Sequence, residues 1–190
     1  MEASRAHNPW VALDVATDPV AHACALRRAH EDRLVRGRAT TVPVRKLVLQ
    51  SWMRSLAAGV APEAVGAPGR LTPDQLDDAR QRSPLAPAVG VIYSALSSIA
   101  ADSRHIVAIG DTTANLLWMT GDPGACERAL AMHFQEGASW SECDAGTNAV
   151  GTAVALNHPI QIFSAEHVIA AAHPWTCAAA PIHAGATASR

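Results

Sequence analysis

Residues 136–152 read EGASWSECDAGTNAVGT, and residues 159–182 read PIQIFSAEHVIAAAHPWTCAAAPI. The Gly-, Ser- and Asp-bearing stretch 135–145 predicts a loop, and 146–156 (GTNAVGTAVAL) predicts a helix. PIQIF at 159–163 alternates with the two-residue period of a strand, 165–172 predicts a short helix, and WTCAAAPI at 175–182 a closing strand. Working outward, His105–Gly110 (HIVAIG) and Asn115–Met119 (NLLWM) are short apolar runs flanking the turn-like Asp111-Thr112-Thr113-Ala114, hence a hairpin, and 123–134 predicts a helix. The order hairpin, helix, helix, strand, helix, strand gives an α+β fold with helices packed against an antiparallel sheet.

Upstream the pattern is helical. Residues 19–37 predict a helix opened by Pro19 and closed by Gly37. In 43–58, Val44, Leu47, Val48, Trp52 and Leu56 recur every three or four residues, giving one buried stripe before Gly59. Residues 60–71 (VAPEAVGAPGRL) form a Pro/Gly linker. Thr72 and Gln75 then stand at the spacing of a capping box, in which each side chain bonds the other residue's backbone. The expected division is a helical N-terminal appendage and linker over 1–82, then an α+β domain over 83–190. In the latter, Leu85, Val89, Ile92, Leu96 and Ile99 step by four and three, the spacing of a two-helix seam. The same stripe also suits packing on the protein's own sheet.

The chain has 190 residues, a net charge of -2, 49% hydrophobic and 17% charged residues. That supplies a core and excludes a disordered segment. Residues 1–82 hold 12 basic and 9 acidic groups, against 3 and 8 in 83–190, so the second half repels phosphate backbones. The basic residues of 27–46 are interrupted by acids and read as a solvated helix face, and no DNA binding by this chain is expected. No apolar run approaches the ~20 residues of a membrane helix. Cys24, Cys126, Cys143 and Cys177 are widely spaced, so a zinc ribbon is excluded and free thiols in a cytoplasmic protein are expected.

Taken together, EGASWSE followed by GTNAVGT, then PIQIF with Glu166-His167, then His173-Pro174-Trp175-Thr176-Cys177 running to Pro181-Ile182, resemble the GAF sensor domain. The version is that found at the front of acetoin-catabolism activators and their actinobacterial relatives. The stretch Ser51-Trp52-Met53-Arg54-Ser55 is similar to the element preceding the domain in those regulators, so the resemblance runs from about Pro19 to Ile182. Two departures stand out. The family continues into a Gly-containing hairpin and a final strand, which His183–Arg190 cannot supply, so the last strand is expected to be missing. The turn after the first strand also lacks the family's usual glycine.

The resemblance implies a ligand-sensing regulatory domain with a pocket between the sheet and the 136–172 segments. Trp118, Phe134, Trp140 and Trp175 suit its apolar walls, and Ser141, Thr147, Asn148, Thr152, His167 and Cys177 its remaining lining. That mixture fits a small, uncharged or weakly polar effector. The tryptophans equally suit ordinary core packing, and Gly146 and Thr147 equally suit a helix cap. Asn148 is disfavoured inside a helix unless it bonds something. His167, His173, Cys177 and His183 match no tight metal motif, and no catalytic residue, metal, heme or other cofactor is expected. The expected partners are a small-molecule effector and a second copy, paired through the 85–99 helix. The alternatives are an interaction domain without ligand, or a methionine sulfoxide reductase using Cys143 or Cys177.

Overall fold

The computed structural model describes residues 8–67, 70–102 and 104–183, with the side chains of 97–102 outside that description. The side chain of the seam position Ile99 and the tail 184–190, on which the missing strand rests, therefore lie outside that description. Helix α1 (Pro19–His30) starts on Asp18, whose carboxylate accepts from the Val20 and Ala21 amides, and continues through a π-turn (Glu31–Val35) to Gly37 at φ +62°. Helix α2 (Lys46–Ala57) buries Val48, Ser51, Trp52 and Ser55. Both bonds of the predicted capping box form at the start of α3 (Pro73–Arg82). A 3₁₀ turn leads into α4 (Val89–Asp102), which lies against the hairpin of β1 (Ile106–Gly110) and β2 (Leu116–Gly121). Then follow α5 (Pro123–Leu130), α6 (Ala149–Leu156), β3 (Ile160–Phe163) and β4 (Thr176–Ala179).

The α+β architecture matches the sequence reading, with its antiparallel pairing present as two hairpins among the described residues, β1 with β2 and β3 with β4. A bulge at Ile109/Gly110 interrupts the first register. The missing turn glycine is replaced by Ala114, held at φ +66°. There the Asp111 carboxylate accepts from the Thr113 and Asn115 amides and the Asn115 side chain, fixing the turn without glycine.

Two predicted helices differ. The 123–134 helix stops at Leu130, and His133 takes φ +57°. The helix predicted over 165–172 is instead two 3₁₀ turns, Ser164–Glu166 and Ala170–Ala172, around an extended 167–169 piece. His167, Val168 and Ile169 are all buried, and a surface helix cannot bury three successive side chains. The carbonyls of Glu166 and Val168 are taken by Trp52 and His30, which an intact helix would have claimed.

One core unites the two halves of the chain. Ala29, Leu34, Val48 and Trp52 cluster with Leu116, Trp140, Ile162, Val168 and Ile169, so the chain's packing is continuous across residue 82. The linker is tied down as well: Pro62 O accepts from the Ala170 amide at 2.9 Å, and Gly137 O from the Leu71 amide at 2.8 Å. Arg80 on α3 donates to Leu117 O at 2.8 Å and to Glu136 at 2.6 Å, fixing α3 to β2. No helix among the described residues is long and apolar enough to cross a membrane. Because Trp52 is the largest fully buried side chain, Trp52→Ala is expected to lower stability by about 3–5 kcal/mol in urea denaturation. A loss below ~1 kcal/mol would mean that α2 is peripheral.

Candidate functional site

The GTNAVGT motif closes a loop onto a helix. Gly146 sits at φ +68° so tightly under Val168 that an added Cβ would lie 2.6 Å from the valine's own. Asn148 is the N-cap of α6: its Oδ1 accepts from the Gly151 amide at 2.9 Å, and its Nδ2 donates to Trp140 O and Gly146 O, both at 2.8 Å. Gly151 leaves room for the Trp140 carbonyl, which a Cβ would approach to 2.5 Å. The small and polar members of the motif thus shape the 140–148 loop.

That loop carries Glu142, whose residue is only 6% exposed. Four donor atoms surround its carboxylate: Ser51 Oγ (2.5 Å), Thr152 Oγ1 (2.8 Å) and Arg54 Nη2 (2.9 Å) on Oε1, and Arg54 Nε (2.6 Å) on Oε2. With its own hydrogen committed to Glu142, Ser51 Oγ accepts from Thr147 Oγ1 at 2.6 Å. Burial works to raise the Glu142 pKa, but these hydrogen bonds and the Arg54 charge outweigh it and hold the group below the ordinary carboxylate range.

A second carboxylate anchors the other segment. Glu166 is fully buried, and Arg45, at the N-cap of α2, forks onto it with Nε–Oε1 at 2.7 Å and Nη2–Oε2 at 2.5 Å. The same guanidinium donates to Gln161 O and Pro9 O. Trp52 Nε1 donates to Glu166 O at 2.7 Å. Beside it lie three imidazoles. His167 Nδ1 donates to Ser164 O at 2.8 Å, and His30 Nε2 to Val168 O at 2.7 Å. His173 meets His30 edge-on, with centroids 4.5 Å apart, and its Nε2 is buried without a partner. Burial lowers all three pKa values, those of His167 and His173 to about 4, so the cluster is neutral at neutral pH.

The sequence-derived lining residues divide between these settings. Phe134 and Trp140 form an edge-to-face pair at 4.8 Å, and the Arg128 guanidinium lies 5.8 Å from the Trp175 ring centre. Thr147, Asn148 and Thr152, in the 140–148 loop and the start of α6, gather around Glu142, and His167 follows Glu166, with their bonds internal. Ser141 Oγ donates to Asp144 at 2.8 Å. Trp118 stands on the other hairpin, in register with Ile109. Cys177 pairs with Ile162 in the β3–β4 hairpin, and burial pushes its thiol up to about 12, so it carries no thiolate for nucleophilic work. All four cysteines are free. Sequence reasoning gave no role to Ser51, Arg54, Ser55, Glu142 and Glu166, and read Arg45 with the other basic residues of 27–46 as a solvated face, whereas its side chain is only 9% exposed and paired with Glu166. The available signal was the i, i+3, i+4 spacing of Ser51, Arg54 and Ser55, one polar face on an otherwise apolar helix.

The model of the MimR N-terminal domain matches residues 21–189. The chain belongs to that family. A 47.3 kDa protein encoded in the 5′ region of thcA in Rhodococcus erythropolis is 43% identical over 182 residues, 93% of this chain and 42% of that protein. The acetoin dehydrogenase operon transcriptional activator AcoR of Bacillus subtilis is 34% identical over 142 residues, 74% of this chain and 23% of AcoR. The chain therefore spans less than half the length of these relatives. Among solved structures, a chain in the Escherichia coli DhaR(N)–DhaL complex shares the fold, with a TM-score of 0.65, 22% identity, and coverage of 72% of this chain and 46% of that one. The kinship with acetoin-type regulators expected from the motifs is thereby established, and the mixed helix and sheet fold is similar to that of the DhaR(N) complex chain.

The buried groups set an acid limit. His167 and His173 have folded pKa values below the ordinary 6.5, so the unfolded chain takes up their protons first and stability falls as the pH drops from about 6.5 toward about 4. Glu142, with its folded pKa depressed, adds a loss of the same sign below the ordinary carboxylate range. Urea midpoints are expected to fall steadily from about pH 7 to about pH 4.5, with His167 contributing as much as about 3 kcal/mol at the acid end. The slope should flatten in His167→Gln. Equal midpoints across the window would contradict neutral buried imidazoles.

Proposed function

We propose that this chain is the effector-sensing domain of a cytoplasmic transcriptional regulator, taking a small molecule between the hairpins and the 136–172 segments. The observation that carries the reading is the family: the MimR N-terminal domain model matches residues 21–189, and a transcriptional activator, AcoR, aligns with 74% of the chain. The internal bonding of Thr147, Asn148 and Thr152 narrows the effector's character. With those groups engaged, contact falls to Phe134, Trp140 and Trp175, so the effector is largely apolar with few hydrogen-bonding groups. A dimer helix completes the scheme. Ile92 and Leu96 of α4 are half-buried on its hairpin side, whereas Gly90, Val91 and Ala95 form an exposed uncharged face, with Val91 at 71%. A second copy on that face would let an effector that favours one arrangement shift the equilibrium between two.

A second reading, a domain whose partner is a protein, is favoured by one observation: the structural neighbour was solved as a complex of DhaR(N) with DhaL. A thermal-shift screen of small apolar metabolites separates the two. A true effector at 100 times its dissociation constant stabilises the fold by ~2.7 kcal/mol, and substitution of Trp140 by Ala abolishes the shift. No shift with any compound, together with capture of a folded protein partner, would favour the second reading. For the dimer, light scattering is expected to give twice the chain mass, and Val91→Glu a folded monomer. A monomer for the unmodified chain at high concentration would remove the dimer helix.

A further inference from the structure

Helix α2 is fastened at both ends to different motif segments. At its N-cap, Arg45 forks onto Glu166 in the 163–173 segment, and in its last turn Arg54 forks onto Glu142 in the 136–145 segment. Both carboxylates are buried. Between the forks, neighbouring residues serve opposite sides: Ser51 donates to Glu142 and Trp52 to the Glu166 carbonyl. The 12-residue helix is a rod of about 18 Å. Forked guanidinium–carboxylate bonds hold orientation as well as distance. A turn or slide of the rod that relieves one segment therefore strains its bonds to the other, and at the Arg45–Glu166 end, where the side chains are 9% and 0% exposed, little water is at hand to replace them.

We propose that α2 is the transmission element of the domain, carrying a displacement of either segment along its length to the other and on to the outer helix α1. The exit to α1 is visible in two contacts: Arg33 of the π-turn donates to the Met53 thioether at 3.4 Å, and the His30 ring stands edge-on to Trp52 at 6.0 Å. That this coupling reports an effector rests on the sensory reading above. The coupling itself is a property of the unliganded chain, so its failure and the failure of that reading are separable.

The two segments also touch directly, since Val168 N donates to Thr147 O at 3.3 Å. The experiment must therefore interrupt α2 alone. Amide hydrogen exchange of the 190-residue chain without effector is compared with that of Glu142→Gln and of Arg54→Lys, which keeps the charge should the first variant fail to fold. Loosening the Glu142 end is expected to speed exchange at Gln161, Phe163 and His167 about tenfold, with β1 and β2 unchanged. In an Arg45→Lys, Trp52→Phe background, which breaks the fork onto Glu166, removes the indole bond and leaves the Thr147–Val168 contact, the same substitution is expected to leave 161–167 unaltered. Conversely, Glu166→Gln should speed exchange across 140–152, because coupling is reciprocal. Acceleration confined to 140–152 and α2, acceleration that spreads equally to β1 and β2, or acceleration at 161–167 that survives the combined Arg45→Lys and Trp52→Phe substitutions would each overturn the proposal.

Discussion

A carboxylate leaves water only where donors replace its hydration, and Glu142 meets that condition with groups from two distant parts of the sequence. Thr152 comes from the helix that follows its own loop, but Ser51 and Arg54 come from α2, about ninety residues earlier. The loop that bears the family motif can therefore close in its observed form only with α2 seated on it. Removing one partner would leave a buried charge short of donors, a defect worth about 3–5 kcal/mol in comparable pairs. Glu166 repeats the arrangement with Arg45 on the neighbouring segment. The helices of the first eighty residues and the motifs that follow are bound into one core by these two anions and by Trp52 between them.

Much of this was legible in the sequence because it is encoded locally. The stripe of α2, the Thr72–Gln75 box, the hairpin around Asp111 and the strand 160–163 depend on neighbours within a few residues, and all are present. The misread elements depend on partners far away. Segment 165–172 has the composition of a helix, yet its carbonyls are claimed by Trp52 and His30 and its side chains by the core, so tertiary bonds override propensity. The polar residues of the candidate site carried an ambiguity that composition cannot lift. A Ser, Thr or Asn suits an internal bond as well as a ligand, and in this structure Thr147, Asn148 and Thr152 make internal ones. Glu142 and Glu166 stood in plain view as charges amid apolar neighbours, but their significance depended on arginines assigned to an appendage.

Membership of the MimR N-terminal domain family and homology to transcriptional activators agree with a regulatory domain. The Phe134–Trp140 ring pair, loops shaped by glycines that tolerate no added carbon, and a neutral histidine cluster make an interior in which most polar groups are matched to one another. Interiors packed in this way rearrange between discrete arrangements rather than by gradual deformation. The rigid connection through α2 indicates which element would shift.

The claim that the N-terminal helices and the motif segments are a single folding unit is tested most directly by urea denaturation of residues 83–190 alone beside the full chain. The account predicts one cooperative transition for the full chain and none for the shorter one, whose Glu142 and Glu166 would lack their arginines. A shorter chain that unfolds cooperatively, with native-like secondary structure and a comparable midpoint, would contradict it.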